Sequence, residues 1–520
     1  MMKPSSKNLI LVNANIITLD PLCPHASWVA VENEKIVTTG YGEDWKNLKH
    51  KNTGIIDCSG KTVIPGLIDA HLHLVSYAKS FVTPDLSPDK NVHSISDIQS
   101  IMKRHSCNRP SGQWVFGRGY NEFYLSEKRH PNRWDLDKET PDHPVRLTHR
   151  SGHAHVLNSL ALKLVGITGE TGDPDGGLIE RDLKTGEPTG LLYEMGDYLA
   201  DRVPPLAQAA LEKGLQLANQ ELISLGVTSI QEASSRNDAE QWKLLKSWKE
   251  SGFLHPRVNL MMGIYAFKRK TKRYRLKTEN ESQLRLGAIK IILDDTTGRL
   301  HPSQAELNAM VLEVHQAGQQ IAIHALEEKA VSAACEAIQF AIERSPVKDH
   351  RHRIEHCAVC PPDLARKIAS LDITVVTQPA FIYFHGDRYR ATVPHEQLEH
   401  LYPIRTLLDQ GINFAASSDC PIVPPDPLIG INAALHRLSS TGDIVGGRQK
   451  IHPTAALQMY TLNAARATFE ESIKGSITPG KLADLVVLNV DPTRLAADAF
   501  KNLQVEKTII GGKVVWQKKR

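Results

Sequence analysis

The chain reads as an α/β protein centred on a parallel (β/α)8 barrel. A smaller β-sandwich is built from both chain termini, and a subdomain is inserted after the first barrel strand. Three observations carry that expectation. Residues able to hold a metal stand at the ends of separate apolar runs, hundreds of residues apart. Such residues converge only where parallel strand ends surround one cavity. The middle of the chain alternates apolar β runs with helical patterns, as strands joined by crossover helices do. Both ends of the chain are β-rich without that alternation.

The N-terminal strands are expected at Leu9–Val12, Ile16–Leu19, Trp28–Val31, Lys35–Thr38 and Gly54–Asp57, separated by turns such as Glu32-Asn33-Glu34 and Ser59-Gly60. Eight barrel strands centre on Val63–His73, Val227–Glu232, Val258–Ile264, Ala288–Leu293, Gln320–His324, His352–His356, Thr374–Gln378 and Ile412–Ser417. Helical patterns such as Ala305–Ala317 and Glu327–Arg344 lie between them. The stretch from 75 to 225 is too long for one crossover, so it holds the insert, about 78–222. The insert's tail, Gly176 to Gly190, reads as a glycine-punctuated hairpin. Asp484–Asn489, Lys507–Ile510 and Lys513–Trp516, the last two joined by Gly511-Gly512, return to β texture. The expected domain limits are 1–64 and 475–520 for the sandwich and 65–474 for the barrel.

At 520 residues the chain exceeds one compact core. Hydrophobic content of 41% and charged content of 23% are ordinary for a globular protein. A net charge of +4, with no basic stripe interleaved with aromatics, points to no nucleic-acid partner. No stretch approaches the roughly 20 apolar residues that span a bilayer, and Leu9–Val12 is too short for a signal core. Seven unevenly spaced cysteines do not form a disulfide framework, and Cys357-Ala-Val-Cys360 lacks the second pair of a zinc site. A cytoplasmic, reduced protein without a membrane partner is expected.

The chemistry concentrates in five places. Pro65-Gly66-Leu67-Ile68-Asp69-Ala70-His71-Leu72-His73 ends in two histidines on the same side of a strand, able to grip zinc or another borderline metal. His324 and His356 each end a strand, either as ligands or as hydrogen-bonded core histidines, and Glu355 competes with His356 as the functional neighbour. Asp419, on the last barrel strand, can bind metal and accept a proton from water, or cap a helix before Pro421. Lys290 lies in an apolar strand, where an ammonium is costly unless neutralised or paired. It either pairs with Asp294 or Asp295 or, once deprotonated, adds carbon dioxide to become a carbamate.

These residues lie in motifs that resemble the amidohydrolase superfamily, and within it amidohydrolase family 3, the group of N-substituted formamide deformylase-like metal-dependent hydrolases. The motifs are Val63–His73, Ser151-Gly152-His153, Asn158-Ser-Leu-Ala-Leu162, Gly226-Val-Thr228, Ile354-Glu-His356, Ser418-Asp419, Thr461-Leu-Asn-Ala-Ala-Arg466 and Gly475–Leu488. The resemblance spans nearly the whole chain. It implies a distorted TIM barrel holding one or two divalent metal ions, zinc being the first choice. His71, His73 and Asp419 would hold the first ion, His324 and His356 the second, and carboxylated Lys290 would bridge them. The loop Asp294-Asp295-Thr-Thr-Gly298 departs from the family's usual Asp-Gly-Ser pattern.

The implied reaction is hydrolysis of a non-peptide, amide-like C–N bond of a small molecule. Metal-activated hydroxide would attack, with Asp419 as acid and base. His153, in the insert, is the choice for polarising the carbonyl. Tyr120, Asn121, Tyr193, Glu194 and His385 are further candidates for the substrate pocket. Hydrolytic deamination or cyclic-amide opening is the alternative on the same scaffold. A binding or regulatory protein that keeps the fold without turnover is the alternative of another class. A homodimer is implied by the resemblance alone.

Overall fold

The computed structural model describes residues 8–107, 109–270, 283–295 and 298–519. The chain divides into two compact units. One comprises 1–74, 219–293 and 303–520; the other comprises 75–218 and 294–302.

The first unit contains an eight-stranded parallel sheet, with strands β1 (Leu67–Leu72), β2 (Val227–Glu232), β3 (Arg257–Gly263), β4 (Leu284–Ile292), β5 (Ile321–Ala325), β6 (Arg353–His356), β7 (Thr374–Thr377) and β8 (Phe414–Ala416). They pair in sequential order, each parallel to the next. The ring is drawn together where β8 runs out. Asp419 N–H donates to His71 O at 2.9 Å, and His73 N–H donates to Cys420 O at 2.8 Å. This is a nearly closed, distorted (β/α)8 barrel, as the alternation of the sequence predicts. Parallel strands are covered on both faces, which is why they read as continuous apolar runs. The burial of every residue of β1, β2, β3 and β6 agrees with that. Helices start where cap chemistry dictates. Ser303 and Glu306 form a capping box ahead of Gln304–Gln316.

The sandwich comprises a four-stranded sheet, in the order Lys35–Gly40, Trp28–Glu32, Leu9–Val12 and Gly54–Asp57, and a six-stranded one. In the latter, Leu485–Leu488 runs antiparallel to Thr62–Pro65, so the two ends of the chain share one sheet. Leu9, Leu11 and Val29 of one sheet meet Ile16, Val63, Leu485 and Ile509 of the other in a buried core.

One expectation is corrected here. The run Val63–His73 is two strands, not one. Thr62–Pro65 belongs to the sandwich and Leu67–Leu72 to the barrel. Gly66 separates them because a Cβ there would lie 2.2 Å from Thr228 Oγ1, so only glycine lets β1 pass β2 at that point.

The second unit holds a five-stranded sheet ordered Leu178–Arg181, Pro188–Tyr193, Ala154–Leu157, Val145–His149 and Val115–Tyr120. Its first two strands are the expected hairpin. Among the described residues no helix is long and apolar enough to cross a membrane.

The sandwich is tied to β3 by a buried bidentate pair. Arg257 Nε and an Arg257 terminal nitrogen donate to Asp484 at 2.7 and 2.9 Å. Removing one partner strands a buried charge. Asp484→Ala is expected to cost about 3–5 kcal/mol of unfolding free energy by urea denaturation, whereas an exposed control such as Glu43→Ala changes it by less than about 1 kcal/mol.

Candidate active site

Six side chains flagged in the sequence meet at the C-terminal end of the barrel strands, the end where barrel loops build active sites. His71 and His73 come from β1 and its exit, Lys290 from β4, His324 from β5, His356 from β6 and Asp419 from just beyond β8. Ligand atoms of His71, His73 and Asp419 all lie within 4.8 Å of one another. Asp419 Oδ1 is 3.1 Å from His73 Nε2 and 3.5 Å from His71 Nε2, and Oδ2 is 3.9 Å from His356 Nδ1. Lys290 Nζ is 3.5 Å from His71 Nε2. The rings of His71 and His356 are 4.8 Å apart, and those of His324 and His356 are 4.4 Å apart.

Each of three imidazoles is held by its Nδ1. His71 is hydrogen-bonded to Glu355, His73 to Ser234 Oγ at 3.0 Å and His356 to Gln378 Oε1 at 3.0 Å. Ligating histidines are oriented in this way, with the second nitrogen left for the metal. His356 Nε2 is buried and has no hydrogen-bond partner among the described residues. An orphaned imidazole nitrogen beside a carboxylate and two more imidazoles is a donor set suited to a divalent transition ion. The residues present therefore fit the metal that the resemblance implies.

The electrostatics agree. Burial, reinforced by Lys290, holds His71 well below the usual histidine range, so its contact with Asp419 is not an ion pair of charged groups. Burial pushes Asp419 up, but the His73 hydrogen bond and the fields of His356 and His71 outweigh it and keep the carboxylate ionised. Burial lowers Lys290 to about 8 against the opposing pull of Glu355 and Asp419, so an appreciable share of it is neutral amine near neutral pH.

His356 and Asp419 both have left-handed backbone, with φ of 75° and 55°. Non-glycine residues persist there only where the surroundings impose it. Asp419 is no helix cap. The helix that follows, Pro427–His436, is capped by Asp426.

The pattern of apolar runs did not single out the supporting residues. Arg353 donates to Glu355 Oε1 at 2.5 Å, to Gln231 Oε1 at 2.6 Å and to Ala70 O at 2.8 Å. Asp69 accepts from Ser418 Oγ at 2.5 Å. Glu355 was visible beside His356, but nothing in sequence shows that it serves His71.

The insert groups the other candidates among themselves. His153 Nδ1 lies 3.0 Å from Glu194 Oε2, and Glu194 has φ of 53°. Tyr120 OH is 2.9 Å from His130 Nδ1, whose ring meets those of Tyr193 and His149 at 5.9 and 5.4 Å. His149 Nε2 lies 2.7 Å from Glu122 Oε2. Burial raises Glu122, but its His149 partner brings it down to about 2. Asn121 only supports its own turn, accepting from Phe123 N–H. His385 lies on the helix after β7, its ring 5.1 Å from Phe381. In the loop 294–298, Thr296 and Thr297 lie outside the described residues.

Residues 54–516 match the amidohydrolase family model, and the chain belongs to that family. It is 29% identical to an N-substituted formamide deformylase of Arthrobacter pascens, over 97% of this chain and 98% of that one. It is also 29% identical to the putative amidohydrolase YtcJ of Bacillus subtilis, over 94% and 96%. A solved metal-dependent hydrolase of Pyrococcus horikoshii, 22% identical, superposes with a TM-score of 0.74 over 95% of this chain and 99% of that one, which shows a shared fold.

Losing the carboxylate that orients His71 is expected to weaken metal retention. Glu355→Gln should hold metal roughly 10–100-fold less tightly than wild type in a competition with a chromogenic chelator. Unchanged retention would mean that Glu355 does not orient a ligand.

Proposed function

We infer that this member of the amidohydrolase family is a metal-dependent hydrolase of C–N bonds other than peptide bonds. We propose that its substrate is a small amide-like molecule, cleaved at the centre formed by His71, His73, Lys290, His324, His356 and Asp419. The observation that carries this reading is the Asp419 carboxylate, 3.1–3.9 Å from nitrogens of His73, His71 and His356, whose Nδ1 atoms are held by Ser234, Glu355 and Gln378.

His71, His73 and Asp419 would hold one divalent ion, zinc by first choice. His324 and His356 would hold a second, with Lys290 as a carbamate between the two sites. The carbamate forms when neutral Lys290 Nζ adds to carbon dioxide and releases one proton. When bound, such an ion acidifies water and polarises a carbonyl. Asp419 takes the proton from the attacking water at a carboxylate oxygen and returns it to the leaving nitrogen, so that the amine departs neutral. Glu355, pinned by Arg353, keeps His71 from turning away during the cycle. His153, backed by Glu194, would polarise the scissile carbonyl from the insert. A cytoplasmic homodimer acting on a small-molecule substrate completes the proposal, with the sandwich at 1–64 and 475–520 and the barrel at 65–474.

Asp419→Asn is expected to lower kcat by roughly 10²–10⁴-fold while circular dichroism stays unchanged. Near-wild-type turnover in that variant would rule out Asp419 as the proton carrier. Plasma mass spectrometry of wild type should find close to two metals per chain, falling in Lys290→Ala. A Lys290→Ala protein that keeps both metals would remove the carbamate bridge.

A further inference from the structure

Helix Ala380–Thr392 begins just past Gln378, the side chain that holds His356. Its Phe381 and Tyr389 pack with Ala358, Tyr402 and Val423 in one apolar cluster, and Leu326 lies against it. Leu326, Ala358 and Val423 follow shortly after His324, His356 and Asp419. The exits of β5, β6, β7 and β8 thus raise an aromatic wall beside the ligand residues.

One cation on this wall, Arg388, has no ion pair among the described residues. The Arg388 guanidinium carbon stands 4.9 Å from the centre of the Tyr389 ring. Arg388 Nε is buried without a hydrogen-bond partner among the described residues. The acidic residues of this helix and of the segments packed with it have other partners. Asp443 pairs with Arg390, Asp387 accepts from Ser440 and Thr441, and Glu399 pairs with Arg448. Arg437, by contrast, is satisfied by the carbonyls of Val445, Tyr402 and Leu401. Tyr389 OH lies 3.3 Å from Tyr402 OH. Tyr402 is pushed up chiefly by burial and then by Tyr389. Arg388 pulls it down and Asp419 pushes it up.

A dry guanidinium nitrogen without an acceptor is costly, and an arginine fork matches a carboxylate with two parallel hydrogen bonds. We infer that Arg388 is a substrate-recognition residue that binds a carboxylate on the amide substrate, whose apolar part lies along Phe381, Tyr389 and Tyr402. The inference rests on the hydrolase reading above and narrows it to apolar amides that carry an anionic group.

The test is calorimetric titration of the metal-loaded protein with N-benzoylglycine and with its neutral counterpart N-benzoylglycinamide, repeated with Arg388→Met and Arg388→Lys. Wild type is expected to bind the carboxylate at least about tenfold more tightly than the amide. Arg388→Met should erase the preference, and Arg388→Lys should keep part of it. Because Arg388 Nε has no hydrogen-bond partner among the described residues and methionine can still pack on the Tyr389 ring, Arg388→Met should melt close to the wild-type temperature. Equal affinities, no binding of either probe, or a preference that survives Arg388→Met overturns the inference. Amide turnover is followed on the same samples. Hydrolysis without the preference removes the anion subsite alone, whereas the preference without hydrolysis of any amide keeps the subsite and removes the hydrolase reading.

Discussion

A carboxylate with no exposure to solvent, Glu355, lies between Arg353 and His71, and the geometry of the site follows from how it is satisfied. Ionised and unpaired, it would be prohibitively expensive to bury. Arg353 meets it with two donors and is itself fully buried, so the pair is stable only as a unit. The same guanidinium reaches Gln231 on β2 and Ala70 on β1. A single buried charge pair therefore ties β1, β2 and β6 together beneath the imidazole that the site most depends on.

Asp69 bonds Ser418 across the seam between β1 and β8, and burial raises Asp69 to about 6 even though the serine hydrogen bond opposes it. His356 and Asp419 both hold left-handed backbone. Strain of this sort costs on the order of 1–3 kcal/mol per residue and survives where the surroundings over-determine it. The surroundings here are parallel strands paired in sequence, with the exits of β1 and β8 joined by the Asp419–His71 and His73–Cys420 backbone hydrogen bonds.

The wall built by the exits of β5 to β8 has a different character from the ligand cluster. It is aromatic and mostly buried, and Arg388 Nε on it has no hydrogen-bond partner among the described residues. His71, His73, Lys290, His324, His356 and Asp419 stand at or just beyond strand ends, while the wall is built by the segments that follow, where sequence can vary without disturbing the ring.

Much of this was legible in the chain. Burial on both faces makes barrel strands read as apolar runs, so all eight were expected, and a histidine, lysine or aspartate ending such a run is conspicuous because burial penalises it. The position of Gly66 as a break was not legible, because the reason for it is Thr228, more than 160 residues away. The same limit hid Arg353, Gln231, Asp69 and Gln378, whose residue types are unremarkable on their own. Sequence alone determined which segments become strands and which polar residues stand at their ends, since both follow from local patterning. Only the tertiary structure decided which of those residues face one another, because hydrogen-bond partners across a barrel are chosen by strand order and register, which no local pattern contains.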